Sequence, residues 1–158
     1  MAGYRAAKQE DISVLAPTMR KADRIELFCS HGMTPDEALE YSWYVSKECN
    51  SIYDDEDKVM GMFGWSLDDE VSCIPWLLAS DELKNHSVQF FKESREWIKD
   101  LMDRFEHGYN YTHAANTQSL RWLKMSGIKN FERVDNWGYY PSPFIKFSWI
   151  TDKEKKHV

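Results

Sequence analysis

No run of about 18 apolar residues occurs in the chain, so nothing in it reads as a membrane-spanning helix. The stretch from Met1 to Gln9 has no apolar core, so no secretory signal is expected and the protein is read as not secreted. Cysteine is scarce. Cys29, Cys49 and Cys73 form no C-x-x-C pair and are odd in number, which speaks against a zinc site or disulfide framework and for a reducing, intracellular setting. Positive charge is in deficit, with a formal net charge of -6, so no broad basic face for nucleic acid is expected. Linkers, low-complexity tracts and internal repeats are also lacking.

What is present fits one α/β domain. A chain of 158 residues with 42% hydrophobic and 29% charged residues suits a single domain over 1–150, followed by a charged tail over 151–158. Seven Trp, eight Tyr and eight Phe supply large side chains for a core. The clusters Tyr41, Trp43, Tyr44 and Trp137, Tyr139, Tyr140 read as core or hairpin packing; exposed together, they would mark a protein interface.

The elements follow from periodicity and punctuation. Gly3 to Ala7 reads as a first strand. Ile12, Leu15 and Met19 recur at helical spacing behind the acids Glu10 and Asp11. Thr34, Pro35 and Glu37 form a capping box that opens a helix reaching about Lys47. Ser51–Tyr53 and Lys58–Trp65 read as strands around the turn Asp54 to Asp57, which lacks the glycine and terminal glutamate of a calcium loop; no metal site is expected. Val71 to Ala79 is a nearly continuous apolar run and suits a central strand, although Pro75 removes a ladder donor and calls for a bulge or a local opening. An amphipathic helix is predicted over Ser87 to Glu106, a strand over Tyr109 to Ala115, and a short helix capped by Asn116 and closed by Gly127. A hairpin of Phe131–Val134 and Phe144–Ile150 ends the order β-α-α-β-β-β-α-β-α-β-β. Such an order implies a mixed central sheet with helices on both faces.

That order resembles the GNAT (N-acetyltransferase-like) superfamily. The opening YRAAKQEDISVLAPTMRKAD is similar to its first strand and helix, and NTQSLRWLKMSGI, from Asn116 to Ile128, is similar to its motif of an Asn followed by a short helix ending on Gly. A narrower resemblance covers roughly 71–150. IPWLLASDELKNHSVQFFKESREWIKDLMDRF, NYTHAANTQSLRWLKMSGI and PFIKF look like the GNAT-like proteins of tailed phages, which include an internal virion (core) protein family. This resemblance implies a phage protein located in the host cytoplasm or the virion, with other phage or host proteins as partners.

The superfamily implies acetyl-CoA as cofactor, bound where two strands splay apart, with its pyrophosphate at a glycine-rich turn. Leu78, Ser80, Lys84, His86, Asn116 and Ser119 are the cofactor-binding candidates on this resemblance. Two departures count against catalysis. The turn Ser80 to Ser87 contains no glycine and carries Asp81 and Glu82, and Leu123 stands where many GNAT enzymes place a proton-donating tyrosine. Tyr111, His113 and Tyr109 are the alternative acids; Glu70, Asp81 and Glu82 are the candidate bases, of which the last two read as a solvated loop. His113 has a structural alternative as a strand histidine, and Asn116 has one as a simple helix cap. Two functions stay open: a virion-associated or accessory interaction protein with a degenerate site, or an acetyl-CoA-dependent N-acetyltransferase acting on a host protein or small amine.

Overall fold

The computed structural model describes residues 3–151, so the predicted tail lies outside the described residues apart from Thr151. Strand β1 (Gly3–Ala6) leads into helix α1 (Gln9–Leu15), which Pro17 ends in a 3₁₀ turn over Ala16–Thr18. Helix α2 (Lys21–His31) follows, then α3 (Pro35–Val45). The capping box of α3 forms as expected: the Glu37 N–H donates to Thr34 Oγ1 at 3.3 Å and the Thr34 N–H to Glu37 Oε1 at 3.1 Å. Strands β2 (Glu48–Tyr53), β3 (Val59–Asp68) and β4 (Ser72–Ala79) form a meander, and α4 (Ser87–Arg104) returns the chain to β5 (His107–His113). Helix α5 (Thr117–Met125) precedes the hairpin β6 (Asn130–Trp137) and β7 (Ser142–Ile150).

The seven strands run in the order β1-β2-β3-β4-β5-β7-β6, which makes β4 central as its apolar run requires. All pairs are antiparallel except β4–β5, where a helical crossover demands the parallel sense. Alternation along β3 and β4 sorts side chains between two cores. Met62 and Leu78 pack with Ile12, Leu15 and Leu39 under α1 and α3. Trp65 and Cys73 pack with Ile98, Leu101 and Trp122 under α4 and α5. Helices therefore cover both faces, as the element order implied. Among the described residues no helix is long and apolar enough to cross a membrane.

Two sequence expectations need correction. The reading placed two helices before the second strand, and there are three; α2 was missed. Its cap residue, Arg20, makes no side-chain capping bond, and its inward face carries Asp23 and Glu26 in place of apolar residues, so neither signal of a helix is present. The aromatic clusters are not core: Tyr41, Tyr44, Tyr139 and Tyr140 are all more than half exposed. Of the two accommodations expected for Pro75, the structure shows the local opening, on the β5 side, and no bulge or register shift against β3.

Candidate functional site

Strands β4 and β5 pair only through Ser72 with His107 and Cys73 with Gly108, then diverge. The ladder bond from the Ser80 N–H to Met60 O at 2.9 Å sets the alternation. Even-numbered residues of β4 bond to β3, and the peptide groups of Cys73, Pro75, Leu77 and Ala79 point towards β5. Pro75 thus stands on the gap side, where no strand is left to receive an N–H. Its carbonyl accepts Asn110 Nδ2 at 2.8 Å. At the open end, Ala79 is occupied: its N–H donates to Asp23 Oδ2 at 3.0 Å and its carbonyl accepts the Arg20 N–H at 2.8 Å. Between these, the N–H and C=O of Leu77 face the gap with no partner among the described residues.

Two chambers open on the gap and meet at Leu77, Ser119 and Trp122. The first, about 350 Å³, lies between α2, α3 and the β5–β7–β6 side, with Glu26, Tyr109, Tyr111 and Trp137 in its walls. The second, about 380 Å³, lies between the start of α4 and α5; Phe90 and Phe91 line it, and Arg20, Lys84 and Arg121 stand around it with Asp81.

Helix α2 projects two carboxylates into this region. Asp23 is fully buried and takes a fork from Arg20 (Nη2 to Oδ1 at 2.8 Å, Nε to Oδ2 at 3.0 Å). Glu26, one helical turn on, accepts three bonds on one oxygen: Oε1 receives Thr112 Oγ1 at 2.5 Å, the His113 N–H at 2.7 Å and Asn116 Nδ2 at 3.4 Å. Oε2 has no hydrogen-bond partner among the described residues, and the residue lines the first chamber. Burial, and next the charge of Asp23, push the Glu26 carboxyl up to about 7 against the opposing pull of those three donors. A carboxyl held half-ionised near neutrality, with one oxygen fixed and the other open to a chamber, is built to take a proton.

The sequence-derived candidates divide around this geometry. Tyr111 lines the first chamber, its ring stacked on Trp137 with centroids 3.9 Å apart. His113 brings its backbone N–H to Glu26, but its ring lies off the chamber against Phe144; its Nδ1 accepts the Ala115 N–H at 3.1 Å and burial lowers its proton affinity. Glu70 sits on the exposed β3–β4 turn with φ 66°, beyond the closed end of the gap. Tyr109 has its hydroxyl on Asp68, which with burial raises the phenol to about 12.

Among the cofactor candidates, Leu78 lines the first chamber and Lys84 and Ser119 the second. Ser80 is buried, with its N–H and hydroxyl both on Met60 O. His86 faces the acidic side near Glu82, away from both chambers. Asn116 caps α5, accepting the Ser119 N–H at 3.4 Å, and its amide bridges Asp23 Oδ1 and Glu26 Oε1 at 3.2 and 3.4 Å. The glycine-free turn folds as a 3₁₀ turn over Asp81–His86. Leu123 is buried in the core under α4. Sequence reasoning missed Glu26, Asp23 and Arg20; an acid pair at one-turn spacing, Asp23 and Glu26, was the only trace of them.

The sequence matches no family model and no curated protein. Solved structures do match. An N-acetyltransferase from Staphylococcus aureus Mu50 superposes with a TM-score of 0.70 at 14% identity, over 95% of this chain and 98% of that one. The ribosomal-protein-S5-alanine acetyltransferase from Vibrio fischeri gives 0.67 at 13% identity, over 96% and 93%. An acetyltransferase of the GNAT family from Bacillus anthracis gives 0.67 at 8% identity, over 94% of each chain. The chain therefore has the GNAT fold; identities this low carry the fold alone.

Proposed function

We propose that this protein is an acyl-CoA-dependent N-acyltransferase acting on an amine, with Glu26 as its general base. The observation that carries the reading is the unpaired peptide group of Leu77 between two chambers, one edged by cations and the other containing the free oxygen of Glu26.

The second chamber fits an acyl-CoA. Leu77 offers a backbone donor and acceptor to an amide-bearing arm, Phe90, Phe91 and Trp122 offer apolar walls, and Arg20, Lys84 and Arg121 offer charge to phosphate. Held by these residues, acetyl-CoA would supply a thioester whose acyl group could pass to an amine nitrogen, the C–S bond breaking to leave an amide and a free thiol. The chain's own residues manage the protons. Glu26 Oε2 removes the proton that the attacking nitrogen must lose, while Thr112, the His113 N–H and Asn116 hold Oε1 in place. The Tyr111 hydroxyl, with no partner among the described residues, stands in the wall as the proton source for the departing sulfur, the role that Leu123 cannot fill.

The glycine-free turn and Leu123 favour a second reading, a phage virion-associated or accessory protein whose site has degenerated and whose partners are other phage or host proteins. Calorimetric titration with acetyl-CoA separates the two. Micromolar binding supports the enzyme; no heat at millimolar acetyl-CoA overturns it.

A further inference from the structure

Resting on the acyltransferase reading, we infer that the acceptor is a compact monoamine carried on an aromatic or apolar frame. The first chamber has walls of Tyr41, Trp76, Tyr109, Tyr111 and Trp137, with Met33 beside them. At about 350 Å³ it stands near the lower end of small-ligand pockets, which run from roughly 300 to 1,000 Å³. That space suits one ring and a short amine-bearing arm.

Charge in the walls selects for a single amine. Among the described residues, Glu26 is the one carboxylate that lines the chamber. His31 also lines it, and burial lowers its proton affinity, which favours the neutral ring. Behind the rings, Lys146 Nζ lies 5.1 Å from the Tyr109 centroid and 5.9 Å from that of Tyr111. Of the other carboxylates beside these walls, Asp68 is covered by the Tyr109 hydroxyl and Asp23 is forked by Arg20. A polyamine would place its second ammonium among the rings with Lys146 behind them, and among the described residues no second carboxylate lines the chamber to receive it. A monoamine pairs with Glu26 and leaves the rest of the chamber to an uncharged frame.

Three of the wall's polar side chains are already paired within the protein. Asn110 spends its amide on Pro75 O and its carbonyl on the Tyr111 N–H. Ser30 donates to Leu27 O and Thr112 to Glu26. The ring faces and edges that make up much of the walls match an aryl group.

The test combines turnover with direct binding. Acetyl-CoA-dependent thiol release is measured for phenethylamine, spermidine and peptides with alanine or lysine acceptors, and phenethylamine binding is measured calorimetrically without acetyl-CoA. The expected kcat/KM for phenethylamine exceeds the others by more than tenfold. Trp137→Ala raises its KM at least tenfold while acetyl-CoA affinity holds, and Trp137→Phe restores most of the loss, which separates ring contact from misfolding. Faster turnover of spermidine or a peptide, with acetyl-CoA bound, overturns the acceptor class and leaves the acyltransferase reading intact. Phenethylamine binding without any acetyl-CoA binding overturns the acyltransferase reading and supports the chamber assignment. Absence of phenethylamine binding and turnover overturns the inference.

Discussion

Asp23 Oδ2 accepts the backbone N–H of Ala79 at 3.0 Å, at the end of β4 that no longer has β5 beside it. A helix side chain takes the place of a missing strand. It satisfies a buried donor that would otherwise cost about 1–3 kcal/mol, and so stabilises the open form of the sheet.

Arg20 neutralises that buried carboxylate. Arg20→Met should destabilise the fold by about 3 kcal/mol, because it leaves a charge in the interior with its main counterion gone. Arg20→Met combined with Asp23→Asn should recover part of the loss, since the charge itself is removed. Urea denaturation of both variants checks the order, and a double variant less stable than the single one contradicts it.

Glu26 must be ionised to act as a base, and its carboxyl lies near pH 7. Under the proposed mechanism kcat/KM climbs about tenfold per pH unit below that point and levels above it. Glu26→Gln should abolish this limb and lower the rate by about 10²–10⁴. The stability sign runs the other way. The folded protein holds this proton more tightly than the unfolded chain, so the group's contribution is present below its ordinary carboxyl range and is lost as pH rises through about 7. Glu26→Gln should therefore melt higher than the parent at pH 8 and close to it at pH 5, as read by calorimetric scans.

Lys84 and Arg121 stand at the second chamber without tight partners among the described residues. Reversing both to Glu should weaken coenzyme A binding by at least about tenfold at low salt and leave pantetheine binding unchanged, because only the former carries phosphates. Equal losses for the two ligands would sink the assignment of this chamber.

Gly138 has φ 102°, and a Cβ there would collide with Cys29 O. The turn it shapes lays the N–H groups of Tyr139 and Tyr140 on Ser30 O and Cys29 O, each at 3.0 Å, and so fixes the β6–β7 hairpin over α2. Gly138→Ala should cost about 1–3 kcal/mol and raise the amine KM with acyl-CoA affinity retained. Steady-state kinetics alongside thermal melting check both halves.

Away from the cleft, Asp11 offers a control. Burial pushes its carboxyl up, but the Arg5 fork, the Lys8 N–H and the Ser51 hydroxyl outweigh it and bring it down to about 2. The stability this contributes is present above the ordinary carboxylate range and is lost as pH falls through about 2. Asp11→Asn should lose about 2 kcal/mol at pH 7, with the gap to the parent closing in acid, and acyl-CoA affinity should not move.

The scaffold was legible where local chemistry and global fold agree. Thr34 with Glu37 announced α3, Asn116 with Gly127 bounded α5, and the apolar run ending at Ala79 marked the central strand. The splayed strands and several wall residues were legible too, but the carboxylates of the cleft were not, for a physical reason. Helix α2 turns Asp23 and Glu26 inward, so the apolar stripe that reveals a helix is broken where the cleft takes polar side chains. Pro75 read as a conflict because a strand was assumed on each side; with β5 splayed away there is no bond for it to break. Glu70 was proposed as a base from its residue type, and nothing in its neighbourhood of sequence showed that the turn would point outward. The exposed tyrosines at 41, 44, 139 and 140 show the limit of composition, since a large ring is equally at home on a rim.

Strand β5 touches β4 at two positions but pairs with β7 along its whole length, from His107 with Ile150 to His113 with Phe144. The second wall of the gap is thus anchored by the last strand of the sheet. During synthesis from the N-terminus, α2 and β4 emerge long before β7, so Glu26 waits for Thr112 and His113 to be brought into register by the final hairpin. A ribosome-bound chain lacking residues after Tyr140 holds both carboxylates and the central strand, yet the cleft stays incomplete until β7 has emerged and paired with β5.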